Sequence, residues 1–157
     1  MTRSVPTSYT PSPGSKPSLR DLRWLVSYAI RGATELVKAR IAFSRFKASE
    51  IADRNEGSRA ASDTDGPIDP STIARIAYVI PRIASRVPWR SDCLVQAIAA
   101  QNWLSSIGIA SEIQIGVERP REGEFSAHAW LMCAGNVVTG GDISQYEVLL
   151  ADSGIDR

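Results

Sequence analysis

One histidine and one cysteine in this chain have the types and the spacing for thiol chemistry. His128, the single histidine, lies in Phe125-Ser126-Ala127-His128-Ala129-Trp130-Leu131. Cys93 stands upstream in Trp89-Arg90-Ser91-Asp92-Cys93-Leu94-Val95-Gln96-Ala97-Ile98, an amphipathic helical segment. A helix start stabilises a thiolate through its orphan amides and dipole, and an imidazole can take the thiol proton. Those two groups, if they meet, make a cysteine hydrolase or an acyl transferase. The plainer alternative is that Cys93 is a small buried hydrophobe and His128 a core histidine bonded to a backbone carbonyl.

A third group would have to hold the imidazole in the right tautomer. Asp142, after Gly140-Gly141, is the candidate, because a hairpin returning from His128 brings that stretch alongside it; a turn role for Asp142 fits equally well. Asp92 is better explained as a helix cap. His128 shares strand parity with Ser126, Trp130 and Met132, so Cys133 points to the opposite face and reads as packing. Trp130 and Trp89 are candidates to wall a substrate cleft, with core packing as the alternative. One histidine, two cysteines and no Cys-x-x-Cys give no metal site. No glycine-rich phosphate loop is present, and no cofactor is expected.

The elements that must position these groups follow from composition and period. The 157 residues suit one domain with a real core, 43% being hydrophobic, and the net charge of +1 argues against nucleic acid. Met1 to Pro17, rich in Ser, Thr and Pro, reads as a disordered tail and not a signal peptide. Residues 18–52 read as one long amphipathic helix with Ser18 as N-cap, to about residue 50, with Gly32 a place for a break. Between Arg20 and Lys47 stand seven basic residues against two acids, Asp21 and Glu35, a bias that suits a partner protein, an acidic peptide or a membrane surface; a solvated face is the alternative. Its uncharged stretch is too short to span a bilayer. With reduced thiols and no export signal, the expected location is cytoplasmic.

Residues 53–68 are polar and read as a linker. Asp69-Pro70 starts a second helix, which Pro81 should kink or shorten. A third helix should span Asp92 to Ser106 and stop at Gly108. The period then changes to two, giving strands at Ile113–Val117, Ser126–Cys133 and Val137–Thr139, a charged loop at Arg119–Glu124, a turn at Ala134-Gly135-Asn136, and a fourth strand at Tyr146–Leu150. N-terminal helices followed by a small antiparallel sheet make the class α+β, with residues 69–157 as the working domain.

Taken together, Val87-Pro88-Trp89-Arg90-Ser91-Asp92-Cys93-Leu94-Val95-Gln96-Ala97, Leu104-Ser105-Ser106-Ile107-Gly108-Ile109, Ile115-Gly116-Val117, Ala127-His128-Ala129-Trp130-Leu131 and Gly135-Asn136-Val137-Val138-Thr139-Gly140-Gly141 with Tyr146 resemble the B2 proteins of lasso peptide biosynthesis. The likeness covers about residues 70–150. It implies a papain/transglutaminase-like cysteine protease core and a leader peptidase, which cuts a ribosomal precursor peptide between leader and core. Cys93 matches the nucleophile and His128 the general base. Fused members carry an Asp slightly nearer the His than Asp142, in a slot that Gly140 occupies here. The implied partners are the precursor peptide, a separate B1-type leader-recognition protein, since residues 1–69 leave no room for that domain, and an asparagine-synthetase-like cyclase. A transglutaminase-like acyl transferase and a non-catalytic scaffold that presents the precursor are the alternatives.

Overall fold

Helices come first and strands second, so the chain is α+β. The computed structural model describes residues 19–44, 50–60, 69–118 and 126–150. The expected tail and its Ser18 cap, residues 61–68 of the expected linker and the expected charged loop lie outside the described residues.

The first helix, α1 (Leu19–Phe43), is shorter than the sequence suggested, and it runs unbroken through Gly32. A Cβ at Gly32 would stand 2.9 Å from Ile83 Cδ1 and 3.1 Å from Val79 Cγ1. Gly32 therefore permits a close helix crossing instead of breaking the helix. Leu36 and Ala39 are buried on that side. Glu35 is buried too, and its carboxylate is paired with Arg31 at 3.0 Å and Lys38 at 3.3 Å. No helix among the described residues is long and apolar enough to cross a membrane.

A second helix, α2 (Glu50–Ala60), occupies the start of the stretch that reads as a linker. Apolar periodicity could not reveal it, because beside the buried Ile51 its attachments are polar. Arg54 donates to Gln101 Oε1 at 3.3 Å and to Asn102 Oδ1 at 2.6 Å. The Ser58 and Ser105 hydroxyls share a hydrogen bond at 3.1 Å. The Ser111 amide donates to Ser58 Oγ at 3.2 Å.

Asp69 caps α3 (Pro70–Ala84) as its sequence requires, accepting from the Ser71 amide at 2.9 Å. Pro81 lies inside this helix, which continues to Ala84. Next comes α4 (Cys93–Ser106), whose buried side includes Val95, Ala97, Ile98 and Leu104. The Gly108 stop, at φ 74°, follows directly.

The sheet is antiparallel with order β3-β2-β1-β4, made of β1 (Glu112–Glu118), β2 (Ala127–Cys133), β3 (Asn136–Thr139) and β4 (Tyr146–Leu150). Ala134 (φ 48°) and Gly135 (φ 76°) make the two-residue turn between β2 and β3, a pair of positive φ values matched to strand twist. Ile113, opposite Leu131, joins Cys133 and Val138 in the core formed with α1, α3 and α4. Each fully buried Leu or Ile of that core contributes about 1.5–3 kcal/mol through water exclusion.

This topology sets the site. After the turn at Gly108 the chain enters β1, β2 reverses against it, and α4 packs on β2. The Cys133 thiol donates to the Ala110 carbonyl at 3.4 Å, tying the C-terminal end of β2 to the segment that leaves α4. A helix of 14 residues is about 21 Å long. A strand of 7 residues is about 23 Å long. With the C-terminal ends tied and the lengths alike, the N-terminal ends of α4 and β2, which carry Cys93 and His128, both lie away from that tie.

Candidate active site

Cys93 is the first residue of α4 and is partly exposed. Asp92 occupies the N-cap position in extended conformation, but its side chain makes no capping bond. Its carboxylate turns instead to Arg90, at 3.4 Å. Asp92 thus caps by position, and its side chain accepts from none of the first-turn amides of α4. Gln96 folds back over this end and donates to the Ser91 carbonyl at 2.8 Å. Just ahead, Trp89 Nε1 and Ser91 Oγ are buried without a partner among the described residues. Trp89 as a whole is only partly buried.

His128 is half-buried on β2, opposite Gly116 of β1. Its Nε2 donates to the carbonyl of Gly140 at 2.7 Å. The ring stacks on Tyr146, with centroids 4.8 Å apart and planes 29° from parallel, and more distantly on Trp130 at 6.1 Å. Trp130 is fully buried beneath it, and its Nε1 donates to Gln114 Oε1 at 2.9 Å. Trp130 therefore supports the imidazole from below and lines no open surface.

Gly140 is shaped for this contact. Its φ is 114°, a region that favours glycine, and a Cβ there would lie 2.4 Å from Trp130 Cβ. The pairing of β2 with β3 shifts register between Leu131 and Met132, just before the chain reaches Gly140.

Asp142 does not touch the imidazole. It is exposed, and its Oδ1 accepts from the Ser144 amide at 2.9 Å, so the turn role is the one it fills. That amide, aided by the Ser144 hydroxyl, holds the Asp142 carboxyl below the usual carboxylate range. Cys93 and His128 stand at the N-terminal ends of α4 and β2, and no hydrogen bond joins the thiol to the ring among the described residues. Cys133, by contrast, is buried in packing, and burial pushes its thiol up. No group of three or more metal-ligating side chains is found among the described residues.

Sequence reasoning missed two participants. The Gly140 carbonyl is a backbone group, invisible to any search among side chains, although the Gly140-Gly141 pair and its place in the slot marked an unusual backbone. Tyr146 reaches the ring only because β4 pairs with β1, placing Tyr146 opposite Glu118 beyond the Gly116–His128 pair.

Comparison with known proteins adds one match. A family model described as the transglutaminase-like superfamily matches residues 33–151. No curated protein and no solved structure matches.

Proposed function

Because this chain belongs to the transglutaminase-like superfamily, we propose that it is a cysteine peptidase with Cys93 as nucleophile and His128 as base, and that it removes the leader from a lasso peptide precursor. One observation supports this reading above the others. Cys93 opens α4 while the Asp92 carboxylate is turned away, so the amides of the first turn remain available to a sulfur anion or an oxyanion.

The reaction runs as two acyl transfers. His128 takes the thiol proton as sulfur closes on the carbonyl carbon at the leader–core junction. Amides at the start of α4 hold the resulting oxyanion. His128 returns its proton to the amine of the core peptide, which departs. Water, deprotonated by the same imidazole, then hydrolyses the thioester and releases the leader. The step requires the sulfur to come within hydrogen-bond reach of the ring, an approach that substrate binding commonly tightens.

The proposed partners are the precursor, a B1-type recognition protein acting in trans and an asparagine-synthetase-like cyclase. Val26, Ile30, Val37 and Ile41 of α1 are 50%, 65%, 41% and 60% exposed, and Arg23 and Lys38 are exposed on the same helix. An apolar stripe with basic flanks suits an acidic amphipathic partner. Glu substitutions at Ile30 and Ile41 should weaken capture of that partner.

The deciding experiment incubates the chain with precursor and recognition protein and reads the products by mass. Hydrolysis adds one water across the cut bond, whereas acyl transfer links two substrates. Cys93→Ala and His128→Gln should each lower the rate by roughly 10⁴-fold or more, the scale on which losing a nucleophile or its base acts. Unchanged processing by a folded Cys93→Ala variant would remove the peptidase reading and favour a scaffold.

A further inference from the structure

We propose that the backbone carbonyl of Gly140, and not the Asp142 carboxylate, positions the His128 imidazole, fixing it as the Nε2–H tautomer with Nδ1 as its open basic nitrogen. The catalytic meaning of this rests on the peptidase reading; the orientation itself does not.

A carbonyl oxygen accepts and cannot donate. The 2.7 Å contact therefore requires the proton on Nε2. In a neutral ring the lone pair then sits on Nδ1, and that nitrogen is the one able to receive a thiol proton. The proton moves from Sγ to Nδ1 as the sulfur lone pair forms the bond to carbon. Nε2–H stays on Gly140 throughout, so the imidazolium formed keeps an acceptor on its far side. Stacking against Tyr146 fixes the ring plane that this bond alone would leave free to tilt.

Glycine at 140 is a requirement of the device. The positive φ turns the carbonyl toward β2, and the 2.4 Å approach to Trp130 leaves no volume for a side chain. The carboxylate two residues on is committed to the Ser144 amide. A side chain that a triad would use is thus replaced by a main-chain dipole, which selects the tautomer without adding a negative charge.

The lone histidine makes the test unambiguous. Long-range proton–nitrogen correlation spectra of ¹⁵N-labelled protein, recorded in alkaline buffer with the ring neutral, distinguish the tautomers by their cross-peak pattern. The expected result is a single Nε2–H species in the wild-type chain, unchanged by Asp142→Asn. An Nδ1–H species, an even mixture, or a tautomer altered by Asp142→Asn would overturn the proposal. Gly140→Ala should lose both the single tautomer and precursor cleavage; a folded Gly140→Ala variant with the wild-type pattern and wild-type cleavage would also overturn it. Should that variant fail to fold, the wild-type and Asp142→Asn spectra decide alone. Intact precursor after incubation with wild type would sink the peptidase reading while leaving the spectra to judge the orientation.

Discussion

The side-chain amide of Asn55 pairs with both backbone groups of Ile113. Nδ2 donates to the Ile113 carbonyl at 3.0 Å, and Oδ1 accepts from the Ile113 amide at 2.8 Å. The described pairing of β4 with β1 begins only at Ile115, so Ile113 lies beyond its reach. Asn55 fills that gap as a one-residue strand would, and Gln101 Nε2 braces it by donating to Asn55 Oδ1 at 3.0 Å. A helix of low apolar content is thereby fixed to the middle of the sheet.

Asn55→Ala should therefore destabilise the fold by about 2–4 kcal/mol, because two buried backbone groups lose their partner at once. Urea unfolding checks this. A midpoint unchanged from wild type would show that water replaces the amide without cost.

The two thiols should separate by reactivity. Cys133 is 2% exposed and bonded to Ala110, whereas Cys93 is partly exposed at a helix start. Iodoacetamide should modify Cys93 in the native protein and reach Cys133 only in denaturant. Peptide mass mapping reads the order; native modification of Cys133 first would contradict the assignment of roles.

Gly116 lies directly under the site. A Cβ there would stand 2.6 Å from the Glu147 carbonyl oxygen and 2.7 Å from Trp130 Cη2. Backbone cannot yield cheaply, so Gly116→Ala should cost about 1–3 kcal/mol as overpacking does. Because Trp130 supports His128, the proposed peptidase reading adds that the folded fraction should cleave precursor more slowly. Denaturation and kinetics below the melting range separate the two effects.

Acid should weaken the start of α3. The Ser71 hydroxyl, then the Ser71 amide and the Thr72 hydroxyl, hold the Asp69 carboxyl below its usual range. A lowered folded value means that this stabilisation is fully present above the unfolded value of about 3.9 and is lost as pH falls through the folded value. Asp69 is fully exposed, so the effect is small. Asp69→Asn keeps a capping oxygen without the titration. The difference in Tm between wild type and variant should shrink as pH drops below about 4; a constant difference would refute the linkage.

Some of this molecule can be read along the chain and some cannot. Asp69-Pro70, the Asp92–Gly108 boundaries and the alternation of Ile113, Ile115 and Val117 are local signals, and α3, α4 and β1 lie where those signals put them. α2 escaped because its helix is secured by Arg54, Asn55 and Ser58 reaching groups on α4, β1 and the segment between them, contacts that leave no apolar period. Gly32 is a related case: locally it is a helix-weakening residue, while its use in the fold is the close approach of α3.

At the site, residue types and spacing determined which side chains are the candidates for thiol chemistry, since only one imidazole exists and only one thiol opens a helix. Parity determined that Trp130 accompanies His128. Tertiary structure decided what holds the ring. A hydrogen bond from Nε2 to a main-chain carbonyl depends on the path of the backbone through Gly140, and Tyr146 arrives from a strand on the far side of β1. Carbonyls are the same at every residue, so a sequence cannot mark the one that folding brings to an imidazole.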